Sequence, residues 1–400
     1  MSVRNGFRPG RWRRAAVALA LLSTSLAPVA ALAATVKATL IVRDDDPRFE
    51  RNRTERPALG HAGGTVGPAL DLALKDGQLE LDAAGSKLVL DSVRVDSIAG
   101  ARAAALKAES AGASALLADL PADWLLAATD AGKLPVLNLR ESADRLRERD
   151  CRPRLWHLMP SERMRADALA QTLAARRWQQ VLLLTGPGAD DQERSATAQA
   201  AIKRYGLKLV ASKPFKLSAD PRERDLANPL LLTGIAGGAA YDVVWVVDGD
   251  GEFARTLPYR TALPRPVVGD AGLVALAWHS SFERYGAPQV SRRFAKASGR
   301  AMTGQDWSAW LAGKALVAAA VAAPKGGAAA FQKALAEVEL DGSKGVAMSF
   351  RPWDGQLRQP MLLGDGQSVV ASAPVDGILH PKNALDTLGA DAPEKLCKAR

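Results

Sequence analysis

The sequence predicts an α/β protein with two lobes, each built on a doubly wound parallel sheet. Short apolar runs rich in β-branched residues recur along the chain, and helical patterns separate them. The clearest run, Val243–Val247, is too short for a helix and is typical of a strand buried on both faces. It ends at Asp248-Gly249-Asp250-Gly251. Ligands of open α/β sheets lie beyond the carboxyl ends of strands, so this turn is either a site or a simple polar turn.

The first 33 residues have the features of a secretory signal peptide. Arginines precede an apolar segment at 15–26, and the small-residue site Ala31-Leu32-Ala33 follows. Such a segment is too short for a membrane span, so we expect cleavage after Ala33 and a periplasmic protein. Arg13-Arg14 leaves twin-arginine export as an alternative to ordinary secretion. The chain has two cysteines, and in an oxidising compartment two usually form one disulfide.

Composition and motifs indicate a binding protein rather than an enzyme. The net charge of +10 includes five arginines of the signal segment, so about +5 remains, which concerns solubility and gives no evidence for nucleic acid. The four histidines lie far apart without metal-ligand spacing, and no nucleophile, zinc or phosphate-loop motif is present. We therefore expect no catalysis, no cofactor, no bound metal and a monomer.

Strands and helices alternate in the first half of the chain. We predict strands at 36–43, 87–95, 115–120 and 134–139, and helices at 66–74, 99–111 and 121–128. Residues 48–64 are polar, with glycine and proline, and indicate a long loop. This alternation favours a doubly wound parallel sheet.

A second set of strands begins near residue 155. Ser161 is predicted to cap a helix at 162–178. The other predicted strands are 155–159, 181–185, 207–211, 243–247 and 267–268, and the other helices are 192–205, 282–297 and 306–323. Asp354-Gly355 is a turn signal, so we expect a hairpin of 346–350 with 356–363. The tail from Gly377 has a loop-like pattern.

Polar or acidic residues recur where these strands end. Each alone is typical of a turn or a helix cap, but together they are consistent with a cleft that faces both sheets. The set is Asp45, Asp119, Asn138, Asp190, Asp248 and Asp270.

Four longer stretches resemble a known family. They are LPYRTALPRPVVGDAGLV at 257–274, AWH at 277–279, SFRPWDGQLRQP at 349–360, and LH with LDTLGADAPEKLC between 379 and 397. Weaker similarity covers DDPRFE at 45–50 and LLADLP at 116–121. The chain resembles periplasmic binding proteins of the leucine/isoleucine/valine type. Within that group it is similar to substrate-binding components of ABC transporters associated with PQQ-dependent alcohol dehydrogenase systems.

The resemblance implies two Rossmann-like lobes joined by a three-crossing hinge, the type I periplasmic binding protein fold. The implied first lobe is 34–156 with 280–340, the second is 157–279 with 341–376, and 377–400 is a tail. It implies a small solute bound between the lobes and presented to an ABC permease, and it supports a Cys151–Cys397 disulfide. One rival is a sensor or partner module that docks on a quinoprotein dehydrogenase or a receptor. A second rival is an enzyme of unknown motif.

The family's ligand position, transferred to this sequence, gives candidate contacts in both lobes. Family members that bind amino acids usually place small hydroxyl residues where this chain has residues 119–123, D-L-P-A-D. Carboxylates there would repel a ligand carboxylate, which favours a cation, a polar neutral compound or an alcohol-derived molecule. Trp124 is a candidate apolar wall, and a calcium or lanthanide ion is an alternative ligand. The candidate contacts are Asp119, Leu120, Pro121, Asn138 and Arg140 in the first lobe, and Asp248, Asp250 and Asp270 in the second.

Overall fold

The computed structural model describes residues 34–50, 59–216, 240–261, 263–325 and 327–399, with a few isolated residues besides. Almost all of the predicted signal peptide lies outside this described part. Within the described part, no helix is both long enough and apolar enough to cross a membrane.

The first lobe is built on a five-stranded sheet in which every pairing is parallel, with the strand order β2-β1-β3-β4-β5. Parallel neighbours need crossover connections, which is why helices alternate with these strands along the chain. The strands are β1 (Ala34–Arg43), β2 (Ser86–Val95), β3 (Ala115–Asp119), β4 (Val136–Asn138) and β5 (Leu155–His157).

Helices cover both faces of this sheet. Ser97 begins the largest of these early helices by accepting a hydrogen bond from the Gly100 N–H at 3.1 Å. Small and aliphatic side chains on α4 and α5 form one buried core with the sheet, and α2 contributes to the core on the opposite face. The helices are α1 (Pro47–Glu50), α2 (Gly67–Asp76), α3 (Gln78–Ala83), α4 (Ile98–Ser110) and α5 (Ala122–Ala131).

The second lobe is built on a four-stranded parallel sheet in the order β7-β6-β8-β9. Ser161 caps its first helix through the Met164 N–H at 3.1 Å, as the sequence predicts. The elements are α6 (Glu162–Ala175), β6 (Gln180–Thr185), α7 (Ala189–Arg204), β7 (Lys208–Pro214), β8 (Val243–Val247) and β9 (Val267–Gly269). The two parallel sheets confirm the predicted α/β class.

A small antiparallel sheet packs against α6 and shares the core of the second lobe. Its strands, in spatial order, are β10 (Val274–Leu276), β13 (Met361–Gly364) and β14 (Val369–Ala373). A separate two-stranded pair consists of β11 (Leu340–Asp341) and β12 (Ala347–Met348).

Between β10 and β11 the chain returns to the first lobe. The helices there are α8 (Ala287–Ser298), α9 (Gly304–Ala322) and α10 (Ala328–Glu337), and α9 packs along α2. Thr303 and Asp306 cap α9 reciprocally. The chain thus passes between the lobes after β5, after β10 and before β13. The lobe boundaries stated above remain predictions.

The predicted hairpin of 346–350 with 356–363 forms only beside its turn. Within the described residues, one antiparallel bridge, Phe350 to Leu357, joins the two segments. The Arg351 N–H donates to the Gln356 carbonyl oxygen and the Arg358 N–H donates to the Ser349 carbonyl oxygen, both at 2.9 Å. The Asp354-Gly355 turn forms, but the chain after it continues along the end of β5. The His157 N–H donates to the Gly355 carbonyl oxygen, and the Leu357 N–H donates to the His157 carbonyl oxygen, both at 2.9 Å. Strand β5 is an edge strand of the first sheet, and this segment forms hydrogen bonds with its free edge.

Several other boundaries differ from the predictions. Helix α7 begins at Ala189 rather than 192, and α8 begins at Ala287 rather than 282. Six of the labelled elements were not predicted: α1, α3, α10, β10, β11 and β14. These elements are short, and contacts with neighbouring elements determine their structure more than their own sequence patterns do.

The structure confirms the Cys151–Cys397 disulfide, whose Cα atoms lie 5.6 Å apart. The tail that carries Cys397 contains two 3-10 helices, Ala384–Thr387 and Ala392–Glu394, and it packs on the body of the protein.

Candidate ligand-binding site

A cavity of about 910 Å³ lies between the two lobes, at the carboxyl ends of both parallel sheets. This volume is in the range of small-molecule sites. Loops that follow β1, β4 and β5 line it from the first lobe, and the turns after β8 and β9 line it from the second. Helices α6 and α7 contribute side chains as well. Its apolar lining includes Met159, Leu169 and Trp245.

The first-lobe wall presents two arginines that lie over buried carboxylates. Arg48 pairs with Asp46 and with Asp119, each at 2.7 Å, and Arg140 pairs with Asp46 at 2.7 Å. Gln305 completes the arrangement by donating to Asp119 at 2.9 Å. Burial alone would raise the pKa of Asp46, but Arg48 and Arg140 hold that pKa below its usual range. Arg48, Arg140 and Gln305 line the cavity, whereas Asp46 and Asp119 do not.

Asn138 orders the loop that carries Arg140. Its Oδ1 atom accepts hydrogen bonds from the N–H groups of Arg140 (3.1 Å) and Glu141 (2.8 Å). Its Nδ2 atom donates to the Glu141 carbonyl oxygen at 2.7 Å and lies 2.9 Å from Nδ1 of His157. Asn138 is fully buried, so it positions a cavity residue without lining the cavity itself.

In the second-lobe wall, carboxylates accept hydrogen bonds from the main chain. Asp270 accepts from the Asp248 N–H at 2.6 Å, and Asp191 accepts from the Gly249 N–H at 2.7 Å. Asp248 in turn accepts from the Ala254 N–H at 2.9 Å. Burial raises the pKa of Asp248. These hydrogen bonds fix the conformation of the turn after β8. The Asp248 side chain lies behind the residues that line the cavity.

Glu162, the first residue of α6, joins the two walls. It accepts a hydrogen bond from the Ser142 hydroxyl at 2.5 Å, and its carboxylate lies 3.5 Å from Arg194. Arg194 also pairs with Asp270. Burial would raise the pKa of Glu162, but Arg165, Arg194 and Ser142 together keep it below the ordinary value.

Arg165 differs from the other cavity arginines that are described above. Its Nε atom is buried without a hydrogen-bond partner, and the nearest carboxylate, that of Glu162, is 3.9 Å away. No hydrogen bond within the described part of the protein uses its guanidinium group. Arg165 thus lines the cavity with a guanidinium group that takes part in no described hydrogen bond.

Three of the eight predicted contact residues line the cavity: Arg140, Asp250 and Asp270. The other five do not line it: Asp119, Leu120, Pro121, Asn138 and Asp248. Leu120 lies in the core, and Pro121 is the N-cap residue of α5. Because Asp119 lies behind Arg48, the expected repulsion of a ligand carboxylate loses its basis. Of the further strand-end residues, Asp190 lines the cavity and Asp45 does not. Trp124 is not a lining residue, and the Arg43 guanidinium lies 5.2 Å from its ring centre.

Arg48, Glu162, Arg165 and Arg194 were missed by reasoning from the sequence. None of the four belongs to the set of strand-end residues, because Arg48 lies in the short helix α1 and the other three lie on α6 and α7. The predicted Ser161 cap was the available signal, because it places Glu162 and Arg165 on the first turn of a helix that leaves the hinge. Within the described ranges, no group of three or more His, Cys, Asp or Glu side chains is arranged to hold a metal ion.

No protein-family model matches the sequence, and no curated protein is significantly similar to it. Solved structures, in contrast, show clear likeness. A periplasmic binding protein from Burkholderia mallei matches with a TM-score of 0.66 at 13% identity, over 92% of this chain and 99% of that protein. A branched chain amino acid ABC transporter periplasmic ligand-binding protein from Burkholderia xenovorans matches with a TM-score of 0.67 at 15% identity, over 84% and 95%.

A third similar structure is an ABC transporter solute binding protein from R. palustris in complex with benzoate. It has a TM-score of 0.58 at 16% identity, over 84% of this chain and 95% of that protein. At these identities the likeness establishes the fold, which is that of type I periplasmic binding proteins. The predicted fold class is thereby confirmed.

Proposed function

We propose that the protein is the solute-binding component of an ABC transporter and that it binds a small solute in the cavity between its lobes. The observation that supports this most is the cavity itself, which both sheets line at their carboxyl ends. The fold likeness to solute-binding proteins over most of the chain agrees with it. Nothing in the cavity requires chemistry on the bound solute.

The solute that best fits this cavity is a small molecule with a carboxylate or similar anionic group. Arg165 offers guanidinium donors that no described protein group takes up, and Arg140 presents its side chain from the opposite lobe. Met159, Leu169 and Trp245 provide apolar surface for the body of the molecule. The benzoate bound by the R. palustris protein is a solute of this chemistry.

A thermal-shift screen tests the binding function. The panel should contain amino acids, aliphatic and aromatic carboxylates, their neutral amides, and calcium and lanthanum ions. A carboxylate present at 100 times its dissociation constant should stabilise the protein by roughly 2.7 kcal/mol. Stabilisation by an amide or a metal ion, with none by any carboxylate, would contradict the proposed ligand chemistry and leave the binding function standing.

Delivery to a permease requires a second test. Deletion of the gene should abolish uptake of the solute found in the screen, and a plasmid copy should restore uptake. Unchanged uptake, together with intact binding, would favour the sensor or partner-module alternative. The proposed periplasmic location requires cleavage after Ala33, and intact-mass measurement of the exported protein should find Ala34 first.

The sequence resemblance in residues 257–274 and 349–360 supports a finer proposal. We propose that the transporter serves a PQQ-dependent alcohol dehydrogenase system, so that uptake of its solute supports growth on alcohols. A deletion strain should then grow poorly on an alcohol that its quinoprotein oxidises and normally on succinate. Normal growth on the alcohol would overturn this link without affecting the proposed transport function.

A further inference from the structure

The C-terminal segment 384–397, termed the strap below, contacts both lobes. On the second lobe, the Thr387 carbonyl oxygen accepts a hydrogen bond from the Tyr205 hydroxyl at 2.7 Å. The Gly389 N–H donates to the buried Asp167 carboxylate of α6 at 2.8 Å, and Leu388 is fully buried in the core of that lobe. The strap therefore packs on α6 and α7 as an integral part of the second lobe.

The same strap is bound to the segment that re-enters the second lobe before β13. Arg351 is fully buried, pairs with Asp386 at 2.9 Å, and donates to the carbonyl oxygens of Leu385 and Leu388 at 2.8 and 2.7 Å. The Trp353 indole N–H donates to the Ala390 carbonyl oxygen at 3.1 Å. A buried guanidinium with several acceptors holds the strap firmly, because loss of any acceptor would leave a buried N–H donor unsatisfied.

The end of the strap is attached to the first lobe. Cys397 is joined to the buried Cys151, which lies in the loop between β4 and β5. The residues that follow Cys151 fix this loop to α5. Arg152 pairs with Asp130 at 2.7 Å, and Arg154 donates to the Gly132 carbonyl oxygen at 2.8 Å. Cys151 therefore moves with the first lobe.

The connection between these two attachments is short. Glu394 pairs with Arg163 of α6 at 2.6 Å, and it lies only three positions before Cys397. Three residues span at most about 10 Å when fully extended. If the partly exposed Glu394–Arg163 pair opens, the next attachment is Gly389, eight residues from the disulfide, with a reach of about 28 Å.

We propose that the strap is a fourth, covalently closed connection between the lobes that limits how far they separate in the ligand-free protein. The three chain crossings permit a hinge motion, and the strap restricts its range. A narrower range keeps a larger fraction of the ligand-free protein in geometries that can bind, which lowers the apparent dissociation constant. This restraint acts on the hinge and does not depend on the identity of the solute.

The test compares two ways of removing the restraint in the ligand-free, full-length mature protein. In the first, Cys151→Ser with Cys397→Ser removes the covalent bond. In the second, six Gly and Ser residues are inserted between Lys395 and Leu396, which leaves the disulfide in place. Closure entropy grows only with the logarithm of loop length, so this insertion changes the stabilising effect of the bond negligibly.

Interlobe distances are measured between bioorthogonal labels at the exposed positions Lys107 of α4 and Ala196 of α7. Both variants should show a broader distribution that extends to longer distances than in the wild type. The insertion adds at most about 20 Å of contour length to the strap. The melting temperature should fall in the double serine variant and stay near the wild-type value in the inserted protein.

The inserted protein decides the result even if the double serine variant fails to fold. A wild-type distance distribution in the inserted protein, with its disulfide intact, would overturn the proposal. The disulfide would then only stabilise the fold and would have no role in limiting the hinge.

Discussion

In the first-lobe wall of the cavity, buried aspartates form ion pairs with arginines. In the second-lobe wall, buried aspartates accept hydrogen bonds from main-chain N–H groups. Asp119 accepts from Arg48 and Gln305, and Arg48 rather than the carboxylate lines the cavity. Asp248 instead accepts from the Ala254 N–H. Both aspartates directly follow or end a buried strand, so the same position in the fold serves two purposes.

The neighbouring loops explain this difference. The loops after β1 and β4 supply long arginine side chains that reach across the ends of the strands. The turns after β8 and β9 are glycine-rich and leave N–H groups for the aspartates to bind. At Gly269, with φ of +108°, an added Cβ atom would lie 2.1 Å from the Val246 carbonyl oxygen, so this turn excludes a side chain. An aspartate at the end of a strand is therefore not by itself evidence of ligand contact.

The largest effect is expected from Asp119→Ala in the first-lobe wall. It removes one of the carboxylate partners of the partly buried Arg48, which still pairs with Asp46, and it removes the acceptor of the Gln305 amide. We expect a loss of about 3 kcal/mol in the free energy of unfolding, measured by urea denaturation. Asp123→Ala is the matched control, because Asp123 is an exposed partner of Arg145 nearby and its loss should cost less than about 1 kcal/mol. Equal losses in the two variants would contradict the role given to Asp119.

A smaller effect is expected from Asp248→Ala in the second-lobe wall. The Ala254 N–H is buried and would lose its acceptor, which should cost about 1–2 kcal/mol of unfolding free energy. Asp248→Asn keeps an acceptor oxygen at the same position and should lose clearly less. If the asparagine variant were as unstable as the alanine variant, the charge of Asp248 rather than its hydrogen bond would be the important feature, and the second-lobe wall would then resemble the first.

The smallest effect concerns pH and Glu162, which joins the walls. Its pKa is held below the ordinary value in the folded protein, so its interactions add stability above the ordinary glutamate pKa. This contribution is lost as pH falls through the lowered pKa. Glu162→Gln should therefore reduce stability near neutral pH by at most about 1 kcal/mol, since the pair is partly exposed. The difference from wild type should vanish in acid, and a difference that persists at low pH would argue against this account.

The sequence was sufficient for the two sheets because the pattern of their strands is local, and the inner strands β3, β4 and β8 are short runs buried along their whole length. The Ser161 cap and the cysteine pair were predictable for related reasons, namely a cap motif and a count of two cysteines. The hairpin predicted at 346–363 forms only beside its turn, because a turn signal fixes the turn alone and the following segment also pairs with the distant edge at β5.

The cavity was only partly predictable. Strand ends indicated the correct edge of each sheet and gave Asp190 and Asp270, and the family's ligand position added Arg140 and Asp250. Which side chain at that edge faces the cavity depends on pairing between loops far apart in the chain, such as Arg48 with Asp119, 71 residues apart. The position of Arg165 depends on how α6 meets both lobes, and no local pattern contains that information.

The most direct test of the proposed function compares a carboxylate solute with its neutral amide in wild type and in Arg165→Met. Methionine keeps much of the apolar stem and removes the guanidinium group. Arg176→Met is the control, because Arg176 is an exposed residue that follows α6 and does not line the cavity. Isothermal titration calorimetry on all three proteins should show that wild type and Arg176→Met bind the carboxylate at least about tenfold more tightly than the amide, about 1.4 kcal/mol. Arg165→Met should lose this preference. An Arg165→Met protein that folds normally and retains the full preference would contradict the account.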